Sequence, residues 1–229
     1  MAAEAQVSIH VRHAHLRKGG LGEIRISESG ISFREVGKKQ KHSREFPYDE
    51  IQQLWLGPTS FRILTYEDMA WKLGRDREYE FDELPDGAAA LILDAVRPHV
   101  DERRLVAAIP DPVTKPIWQA NAKLLIGRGG PSGVLLVGDY SIVFSTEKED
   151  ASRTWHFGQI DNISSAGPFD LTITTFEQDR GRFAGHRDFC FQLKDALTEQ
   201  RYNALWRRLN ESRLPASSMN SRSKENTIE

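Results

Sequence analysis

Four apolar residues, Ile24, Ile26, Ile31 and Phe33, recur 111 positions later as Leu135, Val137, Ile142 and Phe144. Each set brackets a turn signal, Ser29-Gly30 in the first and Gly138-Asp139 in the second. Upstream, Lys18-Gly19-Gly20 is matched by Arg128-Gly129-Gly130 at offset 110. Downstream, Phe46-Pro47-Tyr48-Asp49-Glu50-Ile51 is matched by Trp155-His156-Phe157-Gly158-Gln159-Ile160 at offset 109, and Glu78-Tyr79-Glu80-Phe81 by Asp188-Phe189-Cys190-Phe191 at offset 110. Offsets that drift by one or two residues are what short loop insertions and deletions leave behind. The 229 residues therefore divide into two copies, each near the usual size of a small domain.

Each copy reads as short strands followed by one helix. Glu23 to Ile26, Glu78 to Phe81 and Phe189 to Leu193 alternate polar and apolar residues, the period of a half-buried strand. Phe61 to Tyr66 and Leu171 to Phe176 are rich in β-branched and aromatic residues. Ala88, Leu91, Ile92, Ala95 and Val96 then follow helical spacing, with Pro85 suited to the first turn and Pro98 to the stop. In the second copy Tyr202, Leu205, Trp206 and Leu209 form the apolar stripe. Asp195 or Thr198 is placed to cap its start, and Arg207 and Arg208 to complement the dipole in its last turn. Pro110, Pro112 and Pro116 predict a stiff, extended linker. The expected organisation is a first domain over 1–107, a linker over 108–117, a second domain over 118–212 and a polar, disordered tail over 213–229.

Short strands closed by one C-terminal amphipathic helix, twice over, resemble tandem pleckstrin-homology-like domains of the bacterial and GRAM-like kind. The run Phe46-Pro47-Tyr48-Asp49-Glu50-Ile51 looks like their aromatic–acidic–Ile strand, and Gly22 to Phe33 like their opening hairpin. The resemblance implies a mainly β fold with α: two partly open β-barrels in tandem, each capped by its helix. It also implies a binding or scaffold role toward proteins, peptides or lipids. The basic signature of phosphoinositide-binding members is not matched. Glu23 stands where a basic residue belongs before Arg25, and the second copy has Val134-Leu135-Leu136.

Charge narrows the partner. The net charge is −2, with no domain-wide basic footprint of the kind that neutralises phosphates, so nucleic acid is not the expected partner. Cys190 is the single cysteine, which excludes an internal disulfide and fits a reducing cytoplasm. No signal-peptide pattern opens the chain, and no run approaches the ~20 apolar residues of a membrane span. The strongest cationic cluster is Arg34, Lys38, Lys39, Lys41 and Arg44, opposed by Glu35. Together with Lys18 and Arg128 it forms the candidate set for an anionic ligand, against the plainer reading of a solvated charged loop.

Other motifs favour plain readings. Gly127 to Gly133 lacks the strand-before, helix-after context and the Lys-Ser/Thr of a phosphate loop, and reads as a hairpin turn. His10, His13 and His15 lack a fourth zinc ligand and read as surface residues. Asp76, Glu78, Glu80, Asp82, Glu83 and Asp86 read as a solvated strand face. Cys190 has no adjacent base, and the tryptophans read as core or inter-domain anchors. The expectation is a non-enzymatic binding or scaffold protein without cofactor or metal, engaging a protein or peptide. The alternative is a peripheral binder of anionic lipid through residues 34–44.

Overall fold

Alternating residues give most strands one apolar face, and such faces are stable only when stacked into a common interior. The computed structural model describes residues 7–14, 20–37, 43–69, 74–110, 115–148, 151–178 and 186–213. It is mainly β, with a large open sheet and two helices. The first half contains β1 (Val7–Ala14), β2 (Gly20–Ile26), β3 (Gly30–Glu35), β4 (Arg44–Pro47), β5 (Ile51–Leu56), β6 (Ser60–Asp68), β7 (Asp76–Asp82) and α1 (Ala88–Val96). A short strand, β8 (Leu105–Ala107), follows. The second half repeats the series as β9 (Trp118–Leu125), β10 (Ser132–Val137), β11 (Ser141–Ser145), β12 (Arg153–His156), β13 (Ile160–Ser164), β14 (Asp170–Gln178), β15 (His186–Leu193) and α2 (Glu199–Arg213).

The strand order is β13-β14-β15-β9-β10-β11-β12-β8-β5-β6-β7-β1-β2-β3-β4. Within each half, neighbouring strands run antiparallel, and the seventh returns to pair with the first. The two halves thus have the same connectivity. Their repeated motifs fall on equivalent elements, including matching 3-10 turns at Tyr48–Glu50 and Phe157–Gln159. Each half has its own buried cluster. Ile24, Phe33, Phe61 and Phe81 lie in the first, joined by Ile92 and Val96 of α1. Leu135, Phe144, Trp155 and Phe191 lie in the second, joined by Leu205 and Leu209 of α2. Burial of each such side chain stabilises by about 1.5–3 kcal/mol, which makes these faces the main support of each half.

Several local expectations are corrected. α1 starts at Ala88 behind Gly87, whose φ of 77° suits glycine, so Pro85 lies outside the helix in the turn before it. α2 runs to Arg213, which puts Arg207 and Arg208 in mid-helix. Arg208 instead pairs with Asp139 and Glu211, and Arg213 reaches the Asp161 carbonyl. Thr198 supplies the cap, accepting from the Arg201 N–H at 3.3 Å. His13 is not a surface residue. It is buried among Phe33, Phe81 and Tyr79, with ring centroids 5.5, 5.3 and 6.3 Å away. His15 and Trp71 lie outside the described residues.

The last residues of the expected first domain bridge the two halves. β8 pairs in parallel with β5, where Leu54, Trp55 and Leu56 face Leu105, Val106 and Ala107, and antiparallel with β12 at Thr154–Ala107. The Ala108 N–H donates to the Leu56 carbonyl, and the Ile109 carbonyl accepts from Thr154 Oγ1 at 2.8 Å. Leu105, Val106 and Ala107 are all buried, as a strand flanked by both halves requires.

Candidate functional site

Of the proposed anion-binding residues, Arg34, Arg44 and Arg128 are described, and they lie on different elements. Lys18, Lys38, Lys39 and Lys41 lie outside the described residues. Arg34 is exposed at the end of β3, and Arg128 is exposed in the β9–β10 turn. Arg44 is engaged inside its own half by Glu67. The Gly127–Gly133 stretch is a hairpin turn, as its context predicted. Gly130 sits at φ 143°, where a Cβ would meet the Leu124 carbonyl oxygen.

Arg44 leads to a feature that occurs twice. In the first half Glu67 binds Arg44 and Arg77 and accepts from the Tyr79 hydroxyl at 3.1 Å. Both guanidiniums lie over the Tyr79 ring, 4.9 and 5.9 Å from its centroid. In the second half Glu177 binds Arg153 and Arg187, the latter at 2.6 Å. Those two arginines lie over Phe189 at 4.5 and 4.9 Å. The carboxylates are positioned by the same irregularity, a register shift late in β6 and in β14. A threonine holds each shift: Thr65 accepts from the Glu67 N–H and donates to the Arg77 carbonyl, and Thr175 does the same for Glu177 and Arg187.

The copies differ in what covers them. Side-chain exposure is 9% for Arg153 and 6% for Glu177, against 40% for Arg44 and 37% for Glu67. The cover is the connecting segment. Arg103 and Leu105–Ala107 line a narrow cleft with Arg153, Thr154, Gln159 and Glu177. Burial pushes the Arg153 guanidinium down to about 10, against the opposing pull of Glu177. Glu67 is partly desolvated, which acts upward, but the Tyr79 hydrogen bond and the charges of Arg44 and Arg77 hold its carboxyl below the usual range. From the first half, Arg62 stacks on Trp55 at 3.7 Å, pairs with Glu78 and feels the charge of Glu177.

No family model matches the chain, and no curated protein matches it. Among the solved structures with weak similarity are the following two. The C-terminal domain of an unknown protein from Leishmania infantum shares 15% identity over 42% of this chain and 84% of its own, with a TM-score of 0.32. A chain of the Spt16D Pob3N heterodimer shares 12% identity over 81% of this chain and 96% of its own, also with a TM-score of 0.32.

Cys190 is exposed on β15 opposite Thr172. His186 pairs with Asp161 at 2.9 Å. Among the described residues no three His, Cys, Asp or Glu side chains group as metal ligands, and no helix is long and apolar enough to cross a membrane. Part of the acidic strand face is ion-paired: Glu78 with Arg62, and Glu83 with Arg12 at 2.7 Å. The repeated Arg–Glu–Arg clusters were legible as charges recurring at offsets 109 and 110, beside apolar positions that carried the repeat.

Proposed function

We propose that the chain is a non-enzymatic binding protein of two pleckstrin-homology-like units in tandem, residues 1–107 and 118–212, that engages a protein or peptide partner. The observation that carries this reading is β8 itself. An extended segment is seated against the edge of β12 by backbone pairing and a side-chain hydrogen bond. The fold thus already accepts extended chain by strand addition, a common mode of peptide recognition. The cleft beside it has room for about one water molecule, far less than a small-molecule site needs. Selection of displayed peptides on the full chain, followed by anisotropy titration of the winners, tests the reading. Saturable, sequence-dependent binding is expected, and failure to enrich any peptide would remove it.

A second reading, peripheral binding to anionic lipid, has one supporting observation. Leu21 and Val36 are exposed and joined by a backbone hydrogen bond, and Val36 lies two residues from Arg34. Salt-sensitive flotation with anionic but not neutral vesicles is the outcome it requires.

A further inference from the structure

We propose, resting on the peptide-binding reading above, that the outer edge of β4 is the docking site and that its occupant is an extended segment carrying a basic residue. The argument starts from the non-equivalence of two equivalent strands. β12 has β11 on one side and β8 on the other. β4, its counterpart, has β3 on one side and, among the described residues, ends the sheet. Arg153, Thr154 and Trp155 are therefore all buried, whereas Arg44 and Glu45 are exposed and only Phe46 is buried. The chain itself shows what covers such an edge: a short antiparallel strand of small and aliphatic residues, Leu105–Ala107.

The side chains around the two edges differ in charge, and the difference selects the occupant. Thr154 and Gln159 are neutral, and the strand over them is apolar. Their counterparts are Glu45 and Glu50, both exposed. Arg44 and Arg77 outnumber Glu67 by one positive charge, the same balance that Arg153 and Arg187 strike with Glu177. Glu45 and Glu50 add two negative charges at positions that are neutral in the second half, and an incoming strand with lysine or arginine at the Ala107 position complements them. Pro47 limits the usable edge to residues 44–46. The same charges discourage pairing with unselected strands, the usual protection of an edge.

The test uses the full chain and two synthetic peptides spanning Arg103–Pro110, one with Ala107→Lys and one with Ala107→Glu. The lysine peptide is expected to bind at least about tenfold more tightly at low salt. Hydrogen exchange is expected to slow at residues 44–46. The double variant Glu45→Lys, Glu50→Lys, which alters only exposed positions, is expected to invert the preference. Equal affinity for the two peptides, no binding of either, or protection elsewhere overturns the proposal. Selected peptides that bind and protect another surface would leave the peptide-binding function standing while removing this site.

Discussion

At the scale of single residues, the two Arg–Glu–Arg clusters are an internal experiment on solvent. The partners and the aromatic platform are alike, but one cluster is covered and the other is wet. Removing a carboxylate from a buried pair strands a desolvated guanidinium, at a cost of about 3–5 kcal/mol. An exposed pair contributes about 0–1 kcal/mol. Glu177→Gln is therefore expected to lower the chemical-denaturation midpoint sharply, and Glu67→Gln to shift it little. Equal shifts would show that β8 does not exclude water from Arg153. A second residue bears on the same cover. Asp101 caps the turn leading into β8, and hydrogen bonds from the Arg103 side chain and backbone hold it at about 2. Its folded value lies below the ordinary one near 4, so its contribution is complete above that value and is lost as pH falls toward about 2. Amide exchange at Leu105–Ala107 is expected to accelerate, relative to β2, across that acid window, and Asp101→Asn is expected to flatten the response.

At the scale of elements, the repeat was readable because burial selects apolar residues at fixed period, and that selection is local. Ile24 and Ile26 had to face inward once the strand formed. Both helices followed from the same kind of signal, but the run Phe46–Ile51, which looked like one strand, is broken by a 3-10 turn at Tyr48–Glu50. β8 was not readable. Leu105-Val106-Ala107 is too short to show a period, and its strand character comes from two neighbours supplied by distant sequence. For the same reason the covered and uncovered clusters could not be told apart, and the burial of His13 was missed: alternation placed it on a face, but three aromatic rings from other segments made that face interior. Two substitutions test the elements. Ala107→Pro removes the N–H of a central strand and is expected to destabilise by about 3 kcal/mol or more. Gly130→Ala forces a Cβ against the Leu124 carbonyl in the β9–β10 turn. It is expected to lower Tm by several degrees, where a relaxed turn would tolerate it.

At the scale of the whole molecule, continuity of the sheet through β8 couples two halves that have separate interiors. Full-length chain is expected to melt in one calorimetric transition, with van't Hoff and calorimetric enthalpies in agreement. The Ala107→Pro variant is expected to resolve into two. Two transitions in the unaltered chain would mean that the joint is weaker than either interior.

The joint has a mechanical consequence. A force drawing the halves apart enters β8 from residue 110 and runs along the strand. It loads the pairings of Leu105, Val106 and Ala107 with β5, the Ala108–Leu56 hydrogen bond and the Ile109–Thr154 hydrogen bond together. Bonds loaded together resist in shear, whereas bonds at the end of a hairpin open one at a time. Tension between two partners held by the two halves would therefore be borne by a clamp near the middle of the chain, and a pulling experiment should find its highest force peak there.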